Sequence, residues 1–129
     1  MEKTMKKSAV ISFCMALFGF APLHGNDQIT INIRYKSQNG GVRKYVEEME
    51  SSGIAAQIRA VKGCLGYDYF YPADDPDSLL LIDSWENPAA LERYHSSPAM
   101  KEAEALREKY GLTNRTIKIF KPAEQEKKQ

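Results

Sequence analysis

Cysteine and histidine are scarce in this sequence: its 129 residues contain two of each. Two cysteines exclude a disulfide-dense scaffold and a four-thiolate zinc site, and two histidines leave little for a polyhistidine metal centre. Charge of either sign is not in excess. The formal net charge is +1, with 18 basic and 17 acidic residues interspersed, which gives no electrostatic reason to expect nucleic acid. A Gly-rich phosphate loop, a GxSxG elbow and a CxxC pair are all missing. What is present is the composition of an ordinary globule, 43% hydrophobic and 27% charged, in a length that allows one domain. Its chemistry must rest on few residues.

The first 25 residues differ from the rest. Lys3, Lys6 and Lys7 form a basic head, and Ala9 to Ala21 follow as 13 residues without charge. This is the layout of a secretory signal peptide, and the run is shorter than the roughly 20 residues a spanning helix needs. The sequence therefore predicts a leader over 1–25, a domain over 26–121 and a polar, disordered tail over 122–129. The expected location is secreted or periplasmic, without a membrane after cleavage. An uncleaved anchor and a buried N-terminal helix are the alternatives. Removing the leader turns the charge from +1 to −1 and leaves one cysteine, Cys64, and one histidine, His95. A lone thiol cannot close an internal disulfide, so Cys64 reads as a small buried strand residue, with a reactive thiol as the other reading.

Ile29 to Lys36 alternates apolar and polar at period two, predicting a strand. After the Gln38-Asn39-Gly40-Gly41 turn, Val42, Tyr45, Val46 and Met49 recur at helical spacing. The stripe changes phase at Gly53, continues through Ile54, Ile58 and Val61, and stops at Gly63. Cys64 to Tyr71 is a second strand, with Leu65, Tyr67, Tyr69 and Tyr71 on one face and Phe70 on the other. A Pro- and Asp-rich turn leads into a third, Ser78 to Glu86, apolar on both faces. Asn87-Pro88 and Ser97-Pro98 are two helix starts, each a capping side chain followed by proline at the first helical position. Ala99, Ala103, Leu106 and Tyr110 make the second stripe, Lys101 to Lys109 reads as a solvated face, and Arg115 to Lys121 is a last strand.

The order β-α-β-β-α-β predicts an α+β, ferredoxin-like fold: a four-stranded antiparallel sheet with helices on one face. Two-sided apolar strands under one layer of helices would leave an exposed apolar face, so we expect a homodimer through that sheet face.

Leu91 and His95 are four residues apart and share a helix face. If Leu91 points at the core, His95 turns inward and can meet Trp85 at one end of a cavity. A partly buried imidazole there could take a proton from an acidic substrate, or simply be a core histidine capping the chain at Ser96-Ser97. Asn32 could hydrogen-bond a substrate oxygen or sit exposed at the sheet rim. Tyr67 and Tyr69 serve sheet packing or ligand stacking, and Asp74, Asp75 and Asp77 suggest a cation site or a solvated turn.

Ile29 to Phe120 resembles the antibiotic biosynthesis monooxygenase (ABM) superfamily. The resemblance rests on ITINIRYK as its first strand, on GCLGYDYFYP as the entry to its second, and on LLLIDSWENPAALERYHSSPAMK. That last segment carries the Trp-Glu pair and the His95-Ser96-Ser97-Pro98 element. It implies a dimeric α+β barrel. Quinol monooxygenase-like members oxidise phenolic substrates with O₂ and no metal or flavin. The resemblance then implies His95 as general base and Trp85 and Asn32 as substrate-binding residues, with a small aromatic substrate, O₂ and no cofactor; Tyr69 and Tyr94 are further substrate-binding candidates. A haem-degrading branch uses an Asn, a Trp and a His from similar positions, which would make His95 an iron ligand. A third branch isomerises a phosphorylated signalling molecule. An export leader points away from both. A non-catalytic dimeric module binding a small ligand is the reading from another class.

Overall fold

The computed structural model describes residues 27–123; the expected leader and all but the start of the expected tail lie outside them. Strand β1 covers Ile29–Lys36, helix α1 Gly41–Ser51, helix α2 Ile54–Arg59, strand β2 Cys64–Phe70 and strand β3 Ser78–Trp85. Helix α3 covers Pro88–His95, helix α4 Pro98–Lys109 and strand β4 Asn114–Phe120. The four strands form one sheet in the order β2-β3-β1-β4, antiparallel throughout, so the ferredoxin-like α+β arrangement is the observed one. Each of the two helical stretches is a pair of short helices.

The breaks follow local chemistry. Gly53 adopts φ 84°, a left-handed conformation that lets the chain leave α1 and restart as α2. Asn87 accepts a hydrogen bond from the Ala90 backbone N–H at 2.9 Å, and Ser97 accepts one from Met100 at 3.3 Å. With Pro88 and Pro98 next in sequence, these side chains start α3 and α4 as the sequence predicts. Gly63 has φ 93° and no room for a Cβ, which would collide with Ala90 of α3. It permits both the turn into β2 and the close approach of α3.

The helix-facing side of the sheet holds the core, which includes Ile31, Tyr35, Tyr67, Leu79, Leu81 and Trp85 beneath Val42, Tyr45, Met49 and Ile58. Strand β2 departs from the expected alternation. Its pairing with β3 shifts between Cys64 and Gly66, a bulge that throws Leu65 outward to 55% exposure and turns Cys64 toward Trp85 instead. Burial pushes the Cys64 thiol up, which disfavours its thiolate.

The other sheet face is only half apolar, a correction to the expected apolar patch. Rows across the strands pair Phe70, Leu80, Arg34 and Thr116, then Asp68, Ile82, Asn32 and Lys118. The hydrophobic part of these rows lies on β2 and β3, because β1 alternates strictly and turns its polar positions this way; Phe120 adds one exposed ring at the end of β4. Among the described residues no helix is long and apolar enough to cross a membrane.

Candidate active site

A partly open cavity of about 520 Å³ lies between the helices and the β1–β4 side of the sheet. That is within the range of small-molecule sites. Its walls are Ile31, Ile33, Leu81, Ile117 and Ile119 from the sheet and Leu91 and Met100 from the helices. It is open because β4 has no helix above it: Ile117 and Ile119 point to the helix side yet are 46% and 62% exposed.

Polar groups stand at defined places in this apolar space. His95 ends α3 at the rim, and Lys101, Glu104 and Arg107 come from α4, Arg115 from β4 and Asp83 from β3. Asp83 is the least expected. It occupies an inward position of β3, between Tyr67 of β2 and Ile31 of β1, and is 2% exposed. Its Oδ2 accepts a hydrogen bond from Trp85 Nε1 at 3.1 Å, while Oδ1 has no partner among the described residues. Burial drives its carboxyl up to about 6, against the opposing pull of the Trp85 hydrogen bond and of its own backbone N–H. Arg107 is also buried, with its guanidinium 5.9 Å from the Tyr35 ring centroid and a Glu104 carboxylate oxygen at 3.8 Å.

The nominated residues divide into three groups. His95 and Tyr94 line the cavity. His95 is exposed, not turned into the interior, because α3 ends there and Tyr94 takes the inward slot. Trp85 accordingly meets Tyr94 and not His95: the two rings stack at 5.1 Å with 8° between planes. Trp85 and Tyr69 are the second group, lying behind the wall. Tyr69 meets Tyr67 edge-on at 5.5 Å and Tyr45 at 6.4 Å. Burial raises the hydroxyls of Tyr67, Tyr69 and Tyr94, so they remain protonated and cannot act as bases. Asn32 stands alone on the opposite sheet face, beside Arg34, Leu80, Thr116 and Lys118. It cannot reach a substrate in the His95 cavity of its own chain.

The aspartate turn is explained by its own hydrogen bonds. Asp75 accepts from the Asp77 backbone N–H at 3.0 Å and from Ser78 Oγ at 2.6 Å, with Lys36 Nζ at 3.3 Å. No cluster of three metal-ligating side chains occurs among the described residues.

Asp83 and Arg107 escaped the sequence reading, although both broke its patterns. Asp83 interrupts the inward series Leu79, Leu81, Trp85. Arg107 follows Ala103 by four residues, so it lies on the buried stripe of α4 and not on the solvated face expected for Lys101 to Lys109.

The family model for antibiotic biosynthesis monooxygenases matches residues 28–106, more than half of the chain. The chain belongs to the ABM family. The match spans β1 through most of α4 and so contains Asp83, Trp85 and His95. No curated protein matches the chain. Among solved structures, a Pseudomonas aeruginosa protein is 24% identical with a TM-score of 0.66, covering 78% of this chain and 99% of its own. A conserved protein from Methanosarcina mazei is 17% identical with a TM-score of 0.66, covering 78% of this chain and 97% of its own. SnoaB from Streptomyces nogalater, a cofactor-independent oxygenase solved as a point mutant, is 20% identical with a TM-score of 0.61. It covers 80% of this chain and 99% of its own. At these identities the likeness establishes the ABM fold.

Proposed function

We propose that this ABM-family chain is a cofactor-independent monooxygenase that oxidises a small phenolic or quinol-type substrate with O₂, with His95 as general base. The observation that supports this reading is the cavity itself: apolar walls sized for one or two aromatic rings, with proton-accepting and cationic side chains set among them. A phenol enters with its ring against Ile31, Ile33 and Leu81. Loss of its hydroxyl proton creates a phenolate, which Lys101, Arg107 and Arg115 stabilise by charge. Such an electron-rich anion passes an electron to O₂, and the resulting radical pair combines at a ring carbon.

For a hydroquinone the balance closes without any other reductant. Hydroquinone and O₂ give hydroxyquinone and water. The substrate loses four electrons, one oxygen atom enters the ring and the other leaves as water. Oxygen uptake by purified protein with hydroquinones tests this reading. The expected result is enzyme-dependent uptake that falls by roughly 10²-fold or more in His95→Ala, the range for removing a general base. Uptake no faster than autoxidation defeats the oxygenase reading and leaves a ligand-binding module.

Two further expectations belong to the same reading. Residues 1–25 direct export of the chain. The half-apolar sheet face, with Phe70 at 48% and Phe120 at 49% exposure, joins two copies through the sheet. Light scattering at micromolar concentration is expected to give a dimer, and a monomer would contradict it.

A further inference from the structure

We propose that Asp83 is a catalytic residue of the cavity: its unpartnered Oδ1 binds the hydroxyl of an aromatic ligand and receives that proton when the ligand reacts. The inference rests on the oxygenase reading for the second step only; the hydrogen bond to the hydroxyl stands without it.

Three observations carry it. A carboxyl 2% exposed with one oxygen satisfied and the other orphaned is costly to keep, by the free energy of one unmade buried hydrogen bond. No cation lies within ion-pair distance of it among the described residues, so it does not serve a salt bridge. And it lines the cavity, where a ligand hydroxyl can supply the missing donor. The Trp85 indole N–H fixes the other oxygen and thereby the direction of Oδ1. Trp85 is itself clamped by its stack on Tyr94, so it acts as a positioning residue. His95, at the water-exposed rim, remains the general base of the overall reaction by drawing that proton on from Asp83 toward solvent, so removing either residue slows oxygen uptake.

The step is a simple proton transfer. The phenol O–H bond breaks, its electron pair stays on the phenolate oxygen, and the proton bonds to Asp83 Oδ1. A carboxylate raised to about 6 is ionised at neutral pH and closer in basicity to a phenol than an ordinary aspartate is. The surrounding cations narrow the remaining gap from the phenol's side.

The sequence contains one tryptophan, and Asp83 is hydrogen-bonded to it, so the protein carries its own reporter. Trp85 fluorescence against pH is expected to show a transition near 6 in the wild type. Tyr35, Cys64 and Tyr94 interact electrostatically with Asp83, and Tyr67 is its cross-strand neighbour. His95, Lys101, Glu104, Arg107 and Arg115 line the same cavity. Histidine as a residue type titrates in the same region, so the measurement is repeated in His95→Gln. The transition is expected to persist there and to vanish in Asp83→Asn; its loss in His95→Gln alone would overturn the assignment.

Calorimetric binding of 2-naphthol and of 2-methoxynaphthalene then tests the contact. The wild type should prefer the hydroxyl compound by about tenfold, one hydrogen bond's worth of affinity. Asp83→Asn should lose most of that preference. Equal binding of the two compounds by the wild type overturns the proposal, and that measurement depends on no variant folding. A hydroxyl preference without oxygen uptake defeats the monooxygenase reading and leaves Asp83 as the hydroxyl acceptor. Oxygen uptake that survives Asp83→Asn defeats Asp83 as proton acceptor and leaves the monooxygenase.

Discussion

The two ends of the helix-facing sheet surface are built differently. Over β2 and β3 the space is filled with aromatic rings: Trp85 on Tyr94, Tyr94 near Tyr67, Tyr67 on Tyr69, Tyr69 near Tyr45. Over β4 and the adjoining edge of β1 the space is left open, walled by isoleucines and dotted with charged groups. One layer of short helices covers three strands and stops before the fourth. The closed end supplies rigidity and the open end supplies room, and Asp83 of β3 sits where they meet. The fold can afford an unsatisfied carboxyl at that seam because one side of it is packed solid.

Substitutions should separate the two ends by size of effect. Trp85→Ala removes a fully buried ring from the closed end and is expected to cost about 4 kcal/mol. Ile119→Ala, at a position 62% exposed on the open side, should cost less than about 1 kcal/mol. Urea denaturation of both variants measures the contrast, and similar losses would break it.

The seam itself should behave oppositely. The folded carboxyl of Asp83 is raised to about 6 from the usual 3.8, so folding favours the protonated form. Between about pH 4 and 6 the native state holds a proton the unfolded chain has released, and stability falls as pH rises through that window. At pH 7 the full penalty applies, on the order of 3 kcal/mol. Asp83→Asn should therefore stabilise the protein at pH 7 by about 1–3 kcal/mol, and the gain should shrink toward pH 4. Thermal melts at the two pH values check the sign. A destabilised variant at pH 7 would mean that Asp83 is held by contacts other than those described.

Gly63→Ala should cost on the order of 2 kcal/mol, from a left-handed φ of 93° and the collision with Ala90. It probes how tightly α3 closes its end. Glu50→Gln removes the negative charge and one of the two acceptors that Arg59 binds at 3.0 and 2.7 Å, on the outer surface of that same end. Both side chains are over a third exposed, so the loss should stay below about 1 kcal/mol. A larger loss would shift weight from packing to surface charge.

The strands and helix starts were legible because they follow local rules. Period-two alternation marked β1, and Asn87-Pro88 and Ser97-Pro98 marked α3 and α4. The site was less so. The bulge at Leu65 depends on how β2 pairs with β3, which no period within β2 reveals. His95 and Trp85 were expected to meet because helical spacing gives a direction but not where the helix ends; termination of α3 put Tyr94 in that place. Asn32 is nominated as a polar position of β1 and by the family resemblance, whereas the strict alternation of β1 assigns it to the face opposite Ile31 and Tyr35. Asp83 and Arg107 were visible as charges on apolar stripes, a signal that the stripes' other members obscured.

The most direct test of the account follows labelled oxygen. Purified protein is given a hydroquinone under isotopically labelled O₂, and the product is analysed by mass spectrometry. The account predicts a hydroxyquinone carrying one labelled oxygen atom, formed well above the autoxidation rate and suppressed in Asp83→Asn. Product without label, or labelled product formed no faster than in the absence of protein, would contradict it.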